Sequence, residues 1–349
     1  MSQIRSSYTD SINFYGGHSP LDLAQKFGTP LYVYNETVLR QRCRELKALS
    51  SLPGFGVNYS VKANTNPVLL RIIREEGLVV DAMSPGELYM DQLAGFTADE
   101  ILYISNNISE DELRNAVRHG VLISVDSLSQ VETLGRVNPG GKVMVRFNPG
   151  IGAGHHAKVV TAGKETKFGV SPELLDDLGS RLHGLISGWA EKTGYTGRFL
   201  VEPGRYVVAE CGVLLGSVNA TKTNGDRRYA GTDLGFNVLV RPAMYDSFHD
   251  VEVYRQGAQG PDTETVEQSV VGNICESGDI LAKNRQLPLL HEGDVLGVLD
   301  AGAYGFVMSS SYNQRCRAAE ILIQADGSVR LIRRRETLED LAACYEGLL

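Results

Sequence analysis

Between Pro30 and about Ser127, short apolar and β-branched runs alternate with segments whose apolar positions recur at helical spacing. This alternation predicts parallel strands joined by crossover helices. Leu31 to Tyr34 reads as a strand and Glu36 to Leu49 as a helix. Gly56 to Val61 reads as a strand ending at Lys62, followed by a helix from Asn66 to Glu76. Further on the pattern predicts strand Leu78 to Ala82, helix Pro85 to Ala94, strand Ile101 to Ser105, helix Ser109 to His119, and strands Val121 to Asp126 and Lys142 to Phe147. Each strand is short and nearly all apolar, as expected when both faces are buried. Polar residues gather where the strands end: Lys62, Asp81 with Ser84, Ser105 with Asn106, Asp126 with Ser127, and Arg146 with Asn148. In a βα barrel that end carries the chemistry.

From about Cys211 the rhythm changes to strands separated by turns: Val213 to Ala220, Val251 to Tyr254, Glu267 to Asn273, Asp294 to Leu299, Ala319 to Ile323 and Val329 to Arg333, with no helix expected before Leu338 to Glu346. A βα domain followed by a mostly antiparallel β domain is therefore expected. The expected boundaries are an N-terminal segment over 1–29 packing on the β domain, a barrel over 30–207 and a β domain over 208–349.

A chain of 349 residues suits this size. Its net charge of −8, with both signs interspersed, offers no basic stripe for nucleic acid and no polybasic arm for a membrane. No leader or spanning segment is apparent, so a cytoplasmic protein is expected. The five cysteines are scattered, without a C-x-x-C pair, and read as reduced thiols. No histidine spacing suggests a metal site, and none is expected.

Lys62 follows an apolar strand and precedes small, turn-forming residues. An amine placed there is expected to be partly desolvated, which favours the neutral form that attacks a carbonyl carbon. A snorkelling or salt-bridged lysine would look the same. Four further motifs accompany it: Glu202-Pro203-Gly204-Arg205 at a strand end, Arg241-Pro242-Ala243-Met244-Tyr245, Cys275-Glu276-Ser277-Gly278-Asp279, and Asp300-Ala301-Gly302-Ala303-Tyr304-Gly305. Singly, each could be a capped turn, an acidic loop or a hairpin. Together, in this order and over most of the chain, they resemble the fold-type III pyridoxal-phosphate decarboxylases, and within them the branch that acts on meso-2,6-diaminopimelate.

The resemblance implies an alanine-racemase-like (β/α) barrel followed by a β domain. It also implies roles for individual residues. Lys62 would bond the cofactor's aldehyde carbon, and Glu202 would pair with the pyridine nitrogen. Asp81, Gly204 and Tyr304 would complete the cofactor site, and Arg205 would face the cofactor's phosphate or a substrate carboxylate. Arg205, Arg241, Tyr245, Glu276 and Tyr304 would hold an amino-acid substrate whose far end carries both an ammonium and a carboxylate. Cys275 would return the proton after carbon dioxide leaves. In this family the cysteine loop comes from the neighbouring subunit, so a homodimer sharing its active sites is implied. The implied reaction is decarboxylation to L-lysine. Another basic amino acid, carboxynorspermidine, or a silent chain acting only by pairing with an intact subunit are the alternatives.

The chain departs from the family between Lys167-Phe168-Gly169 and Glu202. There the family carries an H-x-H-I-G-S strand, whose histidine stacks on the cofactor ring, and a strand ending in G-G-G, whose amides meet the phosphate. Here only about thirty residues intervene, roughly one βαβ unit, and the sequence has no G-G-G. The expected reading places a missing segment near Gly179-Ser180, between the start of one helix at Leu174 to Leu178 and the end of another at Arg181 to Thr193. The barrel is then short of two strands, and His183 lies on a helix surface.

Overall fold

In a computed structural model, residues 8–146, 175–257 and 264–348 are described. They form two compact units: the chain up to Leu39 together with everything from Arg205, and the stretch Arg40–Gly204.

The first elements are helices α1 (Tyr8–Ser11) and α2 (Pro20–Phe27), strand β1 (Leu31–Asn35) and helix α3 (Glu36–Lys47). A regular alternation follows: β2 (Phe55–Tyr59), α4 (Pro67–Glu75), β3 (Val79–Ala82), α5 (Pro85–Ala94), β4 (Ile101–Ile104), α6 (Glu110–Arg118), β5 (Leu122–Val125), α7 (Leu128–Val137), β6 (Met144–Val145), α8 (Leu175–Thr193) and β7 (Phe199–Val201). Local chemistry sets the helix ends. Ser84 caps α5 through its hydroxyl, Pro85 supplies the first turn, and Gly95 in the left-handed region closes it.

In the Arg40–Gly204 unit, six strands form one parallel sheet in the order β6-β5-β4-β3-β2-β7. The last strand in sequence, β7, pairs with the first, β2, at Val57 and Val201. Among the described residues β6 and β7 each pair on one side only. The two helical pieces expected on either side of Gly179-Ser180 are one continuous helix, α8. Gly179 lets it lie close to the end of the α3 connection, where a Cβ would stand 2.9 Å from the Leu49 carbonyl oxygen. His183 sits on α8, half-buried, with its Nδ1 3.2 Å from the Ser50 hydroxyl. Helix α7 was not expected. Its signal is Leu128, Val131 and Leu134 at helical spacing after the cap Ser127. Strand β6 is shorter than Lys142 to Phe147, and Phe147 lies outside the described residues, as does Leu174.

The other unit continues with helix α9 (Arg205–Val208), strands β8 (Gly212–Asn224) and β9 (Arg227–Thr232), helix α10 (Arg241–Tyr245), and strands β10 (Val251–Tyr254), β11 (Val266–Val271), β12 (Ile280–Leu287), β13 (Val295–Val298), β14 (Ala319–Ile323) and β15 (Val329–Arg333) before helix α11 (Leu338–Ala342). Nine strands make a mostly antiparallel sheet with the path β12-β11-β9-β8-β1-β14-β15, and with β13 bridging β8 and β10.

Here the expected boundary at residue 30 moves. Strand β1 belongs to this sheet, parallel to β14 at Leu31 and Ala319 and antiparallel to β8 at Leu31 and Leu215. All five of its positions are buried. An unbroken apolar strand announces burial on both faces, but not which sheet buries it. Strands β9 and β12 and the short helices α9 and α10 were also unexpected, because their mixed polar sequences carry no strong period. The N-terminal segment is tied to β10: the Thr9 amide and hydroxyl donate to the buried Glu252 carboxylate at 3.2 and 2.5 Å, and the hydroxyls of Tyr15 and Tyr254 are 3.0 Å apart.

Candidate functional site

In the Arg40–Gly204 unit, β2 ends in a tight turn, Val61–Ala63, that presents Lys62 to solvent while both its neighbours are buried. The desolvation expected for this lysine is therefore absent: the described walls bury the turn's backbone and leave the side chain exposed.

Asp81, at the end of β3, fixes that turn. Its carboxylate accepts from the Ser60 hydroxyl at 2.8 Å and from the Val61 amide at 3.0 Å. It is 1% exposed, and burial pushes its pKa up to about 6 against those two bonds and the charge of Lys62; Glu202 pushes it up further. The Ser60 amide also donates to the Pro203 carbonyl at 3.1 Å, which holds the Glu202-Pro203-Gly204 turn against the end of β2. Lys62, Asp81 and Glu202 thus converge at one end of the sheet, as the sequence suggested.

Two acids were missed. Glu87 accepts from the Met83 amide at 2.7 Å, and burial raises its pKa while Lys62 lowers it. The Ser84-x-x-Glu87 spacing is the signal that could have found it. Asp91 on α5 is fully buried, and neither carboxylate oxygen has a partner among the described residues. Burial, then Asp81 and Glu87, push it up to about 9, so it is neutral at pH 7.

The unit containing β8 to β15 gathers a different set. The Arg205 guanidinium lies 5.0 Å from the Tyr304 ring, and that of Arg241 lies 5.4 Å from the same ring and 5.0 Å from the ring of Tyr245. Arg241 is 7% exposed and donates to the Ser247 hydroxyl at 3.3 Å, while its buried Nε has no partner among the described residues. Burial, then the charge of Arg205, push its pKa down to about 10. Burial lowers Arg205 too. Among the described residues neither guanidinium forms an ion pair. Such a pair of cations is matched to a carboxylate that arrives from outside.

Local backbone sets this cluster. Tyr304 and Asp300 adopt positive φ (56° and 55°), and a Cβ at Gly302 would collide with the Val208 carbonyl, so the loop can lie against α9 only with glycine there. His249, which the sequence did not single out, donates from Nδ1 to the Leu299 carbonyl at 2.8 Å; burial, then Arg241, Arg205 and Arg285, keep it neutral.

Cys275 and Glu276 occupy a separate, exposed loop. The Cys275 amide donates to the Asn313 side chain at 2.7 Å. Asp279 braces the loop by accepting from the Ile274 and Phe236 amides, each at 2.7 Å. Glu276 borders a shallow cavity of about 540 Å³ with Phe236, Tyr312 and Gln314. Gly204 carries the chain from Pro203 to Arg205.

The donors at the end of the parallel sheet fit pyridoxal at two points, an amine for its aldehyde at Lys62 and a carboxylate for its ring nitrogen at Glu202. The four helices that begin at that end are already capped: Asn66 takes the Val68 amide, Ser84 that of Glu87, Ser109 that of Glu112 and Ser127 that of Gln130. Pro67 and Pro85 have no amide hydrogen to offer.

Comparison with known proteins points to a pyridoxal-phosphate cofactor. Residues 37–185 match the family described as pyridoxal-dependent decarboxylase, pyridoxal binding domain. The diaminopimelate decarboxylase of Methanothermobacter thermautotrophicus is 38% identical, over 93% of this chain and 94% of that protein. The alignment spans 406 positions, more than the 349 residues here, so internal positions of that relative have no counterpart in this chain. The diaminopimelate decarboxylase of Escherichia coli K12 is 31% identical over 93% and 95% of the two chains. A crystal structure of a diaminopimelate decarboxylase superposes with a TM-score of 0.82 at 29% identity, covering 93% of this chain and 95% of that one. The chain belongs to the diaminopimelate decarboxylase family of pyridoxal-dependent decarboxylases, with their alanine-racemase-like fold.

Proposed function

We propose that this protein is a pyridoxal-phosphate-dependent decarboxylase that converts meso-2,6-diaminopimelate to L-lysine. The observation that carries the substrate reading is the pair of guanidiniums around Tyr304, that of Arg205 exposed and that of Arg241 buried, neither in an ion pair among the described residues. They suit a substrate with a second carboxylate, which a plain diamine precursor lacks.

When bound, the cofactor supplies an electron sink for the pair of electrons left as carbon dioxide departs. Lys62 holds it through its amine, and Asp81 positions Lys62 by fixing the Ser60-Val61 backbone. Glu202 keeps a proton on the ring nitrogen. Arg241 and Arg205 bind the substrate's far carboxylate, with Tyr245 and Tyr304 excluding water around them. Glu276 takes the far ammonium, and the exposed thiol of Cys275 delivers the proton that replaces the carboxylate. Both residues sit on a loop braced by Asp279 and are read as acting on the neighbouring subunit of a cytoplasmic homodimer.

Purified protein supplied with pyridoxal 5'-phosphate and meso-2,6-diaminopimelate is expected to release carbon dioxide, and the Lys62→Ala variant to release none. Equal release by Lys62→Ala, or a preference for lysine or ornithine as substrate, would sink the reading.

A further inference from the structure

Arg205, Arg241 and Tyr304 come from three separate segments, so their spacing depends on what ties those segments together. The loop that carries Tyr304 starts after Leu299. On one side, backbone bonds hold it to the chain after α9: the Gly302 amide donates to the Ala209 carbonyl at 3.1 Å and the Ala301 amide to the Gly212 carbonyl at 2.9 Å. On the other side the Leu299 amide donates to the Asp250 carbonyl at 3.0 Å, and His249 Nδ1 donates to the Leu299 carbonyl at 2.8 Å. His249 lies just after α10, the helix of Arg241 and Tyr245, and the stretch between is pinned as well. The Ser247 hydroxyl accepts from Arg241 at 3.3 Å, and Arg285 lies 3.8 Å from the centre of the Phe248 ring and donates to the His249 carbonyl at 2.9 Å. Bonds between backbone groups survive a change of side chain. The imidazole of His249 does not, which makes it the link from α10 to the Tyr304 loop that a substitution can cut.

The ring suits this task. A carbonyl only accepts, so Nδ1 carries the hydrogen. His249 is 5% exposed, and burial, then the charges of Arg241, Arg205 and Arg285, outweigh the Leu299 bond and keep it neutral. It therefore ties the two segments together without adding a third cation beside the guanidiniums.

We propose that His249 is a positioning residue of the substrate site: through the Leu299 carbonyl it fixes the segment bearing Arg241 and Tyr245 against the loop bearing Tyr304, and so sets the guanidiniums for the substrate's far carboxylate. This rests on the reading of Arg205 and Arg241 as that carboxylate's partners, and deepens it by naming a residue that acts on them without touching substrate.

The test compares the parent with His249→Leu, which has no donor, and His249→Asn, whose amide nitrogen can stand where Nδ1 does. His249→Gln, whose nitrogen lies one bond farther out, replaces the leucine variant if that does not fold. The full chain is loaded with pyridoxal 5'-phosphate, and active sites are counted by borohydride trapping at Lys62. KM and kcat per trapped site are measured for meso-2,6-diaminopimelate, and calorimetry gives the Kd of pimelate, a dicarboxylate without amines. Leaving the buried carbonyl unpaired is expected to raise KM and the pimelate Kd about tenfold in His249→Leu, with kcat per site within about threefold of the parent. Asparagine is expected to bring both back to within about threefold. Unchanged KM and pimelate binding in the donor-less variant, a loss confined to kcat or to the count of sites, or no rescue by asparagine overturns the inference and leaves the proposed function standing. Pimelate binding to Arg241→Leu as tight as to the parent overturns the substrate reading, and this inference with it.

Discussion

Asp91→Asn tests the electrostatics of the barrel unit most sharply. The carboxyl is fully buried on α5, has no hydrogen-bond partner among the described residues, and faces the like charges of Asp81 and Glu87. Its pKa rises from 3.8 to about 9 on folding. The raised folded value means the native state binds a proton that the unfolded chain gives up above pH 4. The contribution of this carboxyl to stability is therefore fullest below about pH 4, falls by about 1.4 kcal/mol per pH unit as pH rises, and stops falling once pH passes about 9. At pH 7 the cost is about 4 kcal/mol, large beside the typical total for a domain. Asparagine keeps the shape and a buried polar group but binds no proton, so most of that cost should disappear. The single tryptophan, Trp189 on α8, reports on this unit. Urea unfolding followed by Trp189 fluorescence is expected to show a variant more stable than the parent by about 3 to 4 kcal/mol at pH 7, with the gap closing toward pH 4 and an unchanged m-value. Equal stability at pH 7, or a gap between variant and parent that does not widen between pH 5 and 8, would refute the reasoning.

Two further outcomes follow from other parts of the molecule. Arg241→Leu should lower kcat/KM for meso-2,6-diaminopimelate by about a hundredfold or more, since a buried carboxylate loses its charged partner, and should leave the labelling of Lys62 by cofactor unchanged; steady-state kinetics beside the borohydride assay would show whether the two effects separate. Gly179→Ala should destabilise the barrel unit by about 1 to 3 kcal/mol, because its Cβ would press on the Leu49 carbonyl; an unchanged urea midpoint would mean that α8 has room to shift.

Much of the barrel was legible because its signal is local. The helices from α3 to α6 and the strands between them follow from helical spacing, Ser-Pro starts and β-branched runs. Helix α7 was missed although Leu128, Val131 and Leu134 carry its spacing, and β9 and β12 because their mixed polar sequences carry no apolar period. The candidate residues Lys62, Glu202, Arg205, Arg241, Cys275 and Glu276 were singled out through their motifs. Glu87, Asp91 and His249 were not, since nothing in the neighbouring residues marks an acid or an imidazole that becomes special only through burial.

The order of elements, the family motifs and the absence of a G-G-G run belong to the sequence, where spacing and residue type suffice. Folding decided the rest. It moved β1 into the sheet with β8 and β14, placed β7 beside β2 so that Glu202 stands near Lys62, and left Lys62 exposed. It also set the guanidiniums of Arg205 and Arg241 against the rings of Tyr304 and Tyr245. Each of these depends on contacts between residues far apart in the chain, and on what burial does to a charge, which no local pattern encodes.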